Sequence, residues 1–224
     1  MSIPEQSIKS PGRFTWRVAT LFMIGSFCFA LGTVVAVSSA PTASGAIYFI
    51  GSIFFTTAGY GQFLSALNHP SAERPRWFGR VEQSVDWKAS AIQSFGTVCF
   101  NISTGFALVT ALTTSQVNRL VWSPDVFGSI AFLWSSWLAF AAVRASWHGH
   151  PRRGATWATA ALNLLGSIFF GISAVGAYLV PETETLYNTA WANGGTFLGA
   201  VCFFFGAWLM WPEARKLELQ EERA

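Results

Sequence analysis

The chain has 224 residues, 52% of them apolar and 11% charged, with a net charge of +3. A soluble globular domain carries about 25% charged residues, so water is not this chain's main solvent. Its small positive excess is spread over short segments between long apolar runs, which reports membrane topology and argues for no nucleic-acid partner.

Asp, Glu, Lys and Arg are missing from residues 18–72, 89–118, 154–181 and 185–212. Each gap exceeds the roughly 20 residues a helix needs to cross about 30 Å of hydrocarbon. In chain order, residues 1–15 form a cytoplasmic segment carrying Lys9 and Arg13, and a helix follows at 17–38. It is too long for the apolar part of a signal peptide, and Pro41 would follow the cleavage point. The breaker run SSAPTASG at 38–45 turns the chain into a second helix at 44–67, completing a hairpin over 16–67.

A cytoplasmic loop spans 68–86, and the second hairpin, 87–145, holds predicted helices at 88–112 and 124–145. Ser123, Pro124 and Asp125 read as a cap and first-turn proline, which puts Asp125 at the outer boundary and leaves the spans without an ionisable residue. After a loop at 146–156, the third hairpin, 157–211, holds helices at 156–180 and 188–211, and 212–224 is a charged tail, helical or frayed. The fold class is therefore all-α integral membrane, six transmembrane helices arranged as three repeated hairpins.

With both termini in the cytoplasm, Arg119 is the one basic residue of the 14 that falls outside. Glu182 and Glu184 mark the outer side, so the expected location is the inner (cytoplasmic) membrane.

One motif recurs in every predicted helix. GSFCFALGT, GSIFFTTAG, GTVCFNIST, GSIAFLWSS, GSIFFGISA and GAVCFFFGA begin at Gly25, Gly51, Gly96, Gly128, Gly166 and Gly199. Each has a small residue after the Gly, Phe at +4, and small residues at +7 and +8. The odd helices add Trp16, Trp87 and Trp157 nine residues before the Gly, at spacings of 71 and 70, the mark of a duplicated hairpin. At 100° per residue the small residues and the Phe share the Gly face, and the Trp lies about 180° away. Nine residues are about 13.5 Å, which places the tryptophans as interface anchors and the odd glycines near the midplane. Gly128, close to its helix start, is expected to sit shallower. In lipid, small residues let helices pack closely, so the six glycines are assigned to helix packing.

The segment WATAALNLLGSIFFGISAVGAYLVPETETLYNTAWANGGTFLGAVCFFFGAWLMWPE, residues 157–213, resembles the YrhK-like family of small bacterial membrane domains. Asn163, Gly166, Ser167, Asn193, Gly195, Thr196, Gly199 and Pro212 match its pattern. The earlier hairpins share only the glycine motif: Gln93 stands for Asn163 in the second, and Phe22 in the first. The resemblance implies an architecture and no biochemical activity.

The candidate intramembrane polar positions are Gln93 and Asn163, each three residues before a motif Gly, with Gln62, Asn101 and Asn193 as weaker cases. Interhelical hydrogen bonding is the expected role, worth about 0.6 kcal/mol on average. His69, His148 and His150 have no Cys or carboxylate at ligand spacing, so no metal site is predicted. The 3 cysteines, Cys28, Cys99 and Cys202, each follow a motif Gly by three residues and imply no disulfide framework. Phosphate-binding loops, GxSxG and HExxH are absent, so neither catalytic residues nor a cofactor are expected. Two readings remain. One is a non-catalytic membrane protein whose packed core serves binding to lipid, another membrane helix or a second copy. The alternative is a passive channel or transporter for a neutral or apolar solute, lined by the Ser or Thr that follows five of the six motif glycines with Gln93 and Asn163.

Overall fold

The computed structural model describes residues 11–38, 41–68, 74–82, 84–145 and 154–221. His69, His148 and His150 lie outside the described residues. Six long helices dominate: α1 (Pro11–Val37), α2 (Pro41–Leu67), α3 (Val85–Phe106), α4 (Ser123–Ala145), α5 (Gly154–Gly176) and α6 (Thr189–Glu221). A one-turn helix, Thr114–Val117, and a π-helical turn, Asn118–Trp122, run without a break into α4. Among the described residues four helical segments are long and apolar enough to cross a membrane: Thr15–Val37, Thr114–Ala145, Gly154–Gly176 and Thr189–Pro212. The chain is thus a helical protein of membrane type. α2 and α3 carry Thr56, Thr57, Gln62, Gln93, Ser94 and Asn101.

Successive helices are antiparallel neighbours, and α6 returns to pack on α1 as extensively as on α5, closing a ring. The near end of this ring holds the start of α1, the end of α6 and the segment between α2 and α3. The far end holds the turn after α3 and a small antiparallel ribbon, β1 (Leu179–Val180) with β2 (Thr185–Leu186).

Local chemistry sets the helix ends. Pro41 occupies the first helical position of α2, where no N–H is needed. Ser84 caps α3 by accepting the Trp87 N–H at 3.1 Å, and Asn188 accepts the Trp191 N–H at 3.0 Å at the start of α6. The near segment is tied down by Asn68, whose amide donates to the Arg76 carbonyl at 2.9 Å and accepts the Arg76 N–H at 2.7 Å.

The structure corrects the sequence reading in the second and third hairpins. α3 ends at Phe106, short of 112, and the next helix starts at Thr114, capped by Thr113, whose hydroxyl and the Gln116 side chain form a capping box. Pro124 therefore lies inside a continuous helix and not at its start. A proline ring clashes with the carbonyl four residues back, and the wider π turn just before it opens that space. Ser123 donates both its N–H and, at 2.9 Å, its hydroxyl to Asn118 O. Asp125 consequently lies eleven residues into the helix, about 16 Å along it, so the span does contain an ionisable residue. Gly128 is likewise not shallow, because it packs against Gly96. α5 stops at Gly176, and the chain to 186 forms the ribbon, a β element in a fold expected to be purely helical. The last helix runs through Pro212 to Glu221 without ending at 211.

The glycine doublet in α6 separates packing from propensity. A Cβ on Gly195 would stand 2.6 Å from Phe169 O and 2.7 Å from Ser173 N, both backbone atoms of α5, whereas one on Gly194 meets nothing within 4 Å. Gly195→Ala is expected to lower the thermal unfolding midpoint, at a cost of about 1–3 kcal/mol for overpacking. Gly194→Ala is expected to leave the midpoint unchanged or raise it, by up to about 1 kcal/mol of helix propensity.

Candidate functional site

The six motif glycines meet in three pairs, each within one hairpin. A Cβ on Gly25 would stand 2.8 Å from the Phe55 ring, and one on Gly51 would stand 3.0 Å from Phe29. Gly96 faces Phe132 at 2.7 Å and Gly128 faces Phe100 at 2.9 Å. Gly166 faces Phe203 at 3.0 Å and Gly199 faces Phe170 at 2.5 Å. In every case the Phe filling one helix's notch is the +4 residue of its partner.

This exchange sends six rings to the centre of the bundle, where they form two triangles. Phe29, Phe100 and Phe170 have centroids 5.8, 6.0 and 6.5 Å apart. Phe55, Phe132 and Phe203 have centroids 5.5, 6.1 and 6.2 Å apart. The triangles are joined by the hairpin pairs 29–55, 100–132 and 170–203 at 5.1 to 5.3 Å. Odd helices run from near to far, so their triangle lies on the far side. All six rings are at most 7% exposed, so the axis is closed by aromatic carbon.

On the near side of the rings comes the layer three residues before the odd glycines, with Phe22, Gln93 and Asn163. Phe22 packs edge-on against Phe55 at 5.6 Å. Gln93 Oε1 accepts from Ser135 Oγ at 3.3 Å. Asn163 Oδ1 lies 2.7 Å from the point a Gly206 Cβ would occupy. Ser135 and Gly206 both stand at +7 after their own motif glycine, so the two predicted amides occupy equivalent places, each half-buried against its hairpin partner. Nearer the end, the ring encloses a vestibule of about 420 Å³, whose polar lining is Thr15, Gln62, Ser65, Ser84, Asp86 and Ser90.

The far side holds the matching layer, three residues before the even glycines, with Tyr48, Asp125 and Thr196. Tyr48 covers Gly32 and donates to Thr33 Oγ1 at 2.9 Å. Thr196 Oγ1 pairs with Ser173 Oγ at 2.7 Å. Asp125 lines a cavity of about 30 Å³ together with Ser129, Ser173, Thr196 and the rings of Phe29, Phe100 and Phe170. The sequence reading missed Asp125 by placing it at the outer boundary, in the first turn of a helix capped at Ser123. The same minus-three spacing that singled out Gln93 and Asn163 would have found it.

The residue after each motif Gly faces sideways, into the seams between hairpins. Ser52 Oγ donates to Asn101 Oδ1 at 2.9 Å and meets Thr104 Oγ1 at 2.9 Å, while Asn101 Nδ2 donates to Thr56 Oγ1 and to Ser52 O. Asn101 thus joins α2 to α3 and is more engaged than either Gln93 or Asn163. In the α4–α5 seam Ser136 and Ser167 hydroxyls lie 2.8 Å apart, and Ser167 Oγ also reaches Phe132 O at 3.2 Å. In the α6–α1 seam Ser26 is fully buried and its hydroxyl has no partner among the described residues.

Of the remaining predicted positions, Asn193 is half-buried, as is Cys28, which abuts Gly51; Cys99 and Cys202 are buried. Trp87 packs on Phe63 at 6.2 Å, and Trp157 packs on Phe140 at 6.1 Å. The indole N–H groups of Trp16 and Trp87 are buried without a partner among the described residues. Among the described residues no group of 3 or more His, Cys, Asp or Glu could hold a metal ion. No protein-family model, curated protein or solved structure matches the chain.

The orphaned Ser26 makes a test of the equivalence. Ser136 stands at +8 after Gly128, and the residue at +8 after Gly199 is Ala207, 3% exposed. Ala207→Ser is expected to give Ser26 a partner and raise the unfolding midpoint by about 0.6 kcal/mol. Asn101→Ala, which removes the amide's hydrogen bonds to Ser52 and Thr56 across the α2–α3 seam, is expected to lower it by about 1–2 kcal/mol.

Proposed function

We propose that the chain is a non-catalytic, multi-pass protein of the bacterial inner membrane, with six spans built as three parallel hairpin repeats around an axis along the membrane normal. Both termini face the cytoplasm, and the outer surface of the bundle binds lipid or a partner membrane helix. The third hairpin, with its YrhK-like resemblance, belongs to this reading as one copy of the repeated unit. The observation that carries it is the sealed centre: six interlocked rings leave no polar path along the axis, and a packed core of this kind serves architecture before transport. The surface supports it as well. The outward face of α4 presents Phe127, Ile130, Trp134 and Trp137, all exposed and at helical spacing. Trp134 lies six residues beyond Gly128, about 9 Å from the glycine level, deeper than the headgroup region that tryptophans facing lipid favour. A partner helix suits that stripe.

The vestibule favours a second reading, a passive channel or transporter for a neutral or apolar solute. Its volume of about 420 Å³ suits a small molecule, and the aromatic cluster deeper along the axis would then be a gate.

The native cysteines separate the two. In sealed vesicles treated with a small membrane-impermeant thiol reagent, Cys28, Cys99 and Cys202 are expected to stay unmodified and to react fully after denaturation. Modification of Cys28 or Cys99 before denaturation means that water reaches the level of the rings; the first reading then fails in favour of the second.

A further inference from the structure

The far-side cavity goes beyond either reading. Its volume, about 30 Å³, is that of a single water molecule. Its polar lining is Asp125 and three hydroxyls, those of Ser129, Ser173 and Thr196. The hydroxyl protons have acceptors away from the cavity: Ser129 Oγ donates to Phe170 O at 3.4 Å, and of the Ser173 and Thr196 hydroxyls, 2.7 Å apart, one donates to its neighbour and the other to Ala192 O, which lies 2.7 Å from Ser173 Oγ and 2.9 Å from Thr196 Oγ1. What these side chains keep for the cavity is oxygen lone pairs, and an ionised carboxylate is acceptor-only. The remaining wall is the ring triangle of Phe29, Phe100 and Phe170, and the negative face of an aromatic ring also favours a cation.

No protein cation answers this negative potential. Among the described residues Asp125 has no ion pair, and Arg119, the other charged group of its own helix on the far side, is exposed six residues earlier. The parts of α1, α2, α3, α5 and α6 that surround the cavity carry no charge at all. Glu182 and Glu184 in the ribbon are exposed, and Glu184 takes a hydrogen bond from Thr114 at 3.2 Å. The far-side tyrosines are engaged elsewhere: Tyr48 with Thr33, Tyr178 against Trp122 at 5.0 Å and Tyr187 against Trp191 at 6.4 Å.

We propose that Asp125, Ser129, Ser173 and Thr196 form a binding site for one small monovalent cation, of the size of sodium or a hydronium ion, reached from the far end of the bundle. Oxygen ligands suit hard cations of this kind. The closed rings on its near side make it a site of residence and not a stage of conduction.

The test uses the purified full chain in detergent. Sodium chloride replaces choline chloride at constant ionic strength, and the thermal midpoint is followed with sodium and, separately, with pH. For a sodium site the midpoint rises saturably with sodium. Asp125→Asn weakens the apparent affinity at least about tenfold, and Thr196→Val weakens it less. For a proton site the sodium response is absent, and the midpoint depends on pH in a way that Asp125→Asn removes. Identical sodium and pH curves for the wild type and Asp125→Asn overturn the proposal. If Asp125→Asn does not fold, Thr196→Val and Ser129→Ala replace it, and an unchanged sodium response in both, with unchanged pH dependence, overturns it equally.

Discussion

The structure depends on one contact made three times: a glycine on each helix of a hairpin receives the Phe that follows the partner's glycine by four residues. The geometry is reciprocal, so neither residue type can change alone. The missing Cβ lets the backbones approach until Gly51 O lies within 3.0 Å of where a Gly25 side chain would begin, and Gly199 O stands 3.1 Å from the same point on Gly166. Close approach then leaves each Phe nowhere to go but inward. In a bilayer, where burying apolar surface between helices gains little over lipid, this dispersion contact and the edge-to-face ring pairs are what hold helices together.

From that contact the rest of the interior follows by counting. Three residues before an odd glycine the chain faces the near side of the rings, and three before an even glycine it faces the far side. Because the rings already supply the cohesion, these flanking layers are free to differ between hairpins. The near layer holds Phe22, Gln93 and Asn163, and the far layer Tyr48, Asp125 and Thr196. The seams vary in the same way. An amide network centred on Asn101 joins α2 to α3, a hydroxyl pair joins α4 to α5, and α6 meets α1 at the unpaired Ser26. Of the polar residues of α2 and α3, Thr56, Ser94 and Asn101 are spent on their shared seam.

Much of this was legible before any coordinates. Charge gaps located the helices, and the Gly-to-Phe spacing named both halves of the central contact, because a helix face is fixed by residue counting alone. What counting could not give was which glycine meets which, or that three separate pairs converge on one cluster. Helix boundaries were misread where a breaker was taken at face value. Pro124 looked like a start because proline is favoured there. The π turn that accommodates it, with Asn118 clamped to Leu179 through hydrogen bonds of 2.7 and 3.0 Å, depends on a partner sixty-one residues away. Likewise Tyr178, which packs on Trp122, lies beyond the end of α5, in a segment that read as more helix.

The misread proline is also what gives the far layer its charge. Had the helix begun at Ser123, Asp125 would sit in the headgroup region, paired with a helix N-terminus and inexpensive. The capping box at Thr113 and the π turn add more than two turns ahead of it, which draws the same carboxylate inward to the ring cluster. An acidic residue at the centre of a membrane helix costs about 2.5–3.5 kcal/mol on insertion scales. Nothing in the packing of the rings requires that cost, since Tyr48 and Thr196 fill the equivalent positions without charge. An expense that the architecture does not need, placed where hydroxyl oxygens and aromatic carbon converge on a water-sized space, is better explained by what the carboxylate binds than by what it holds together.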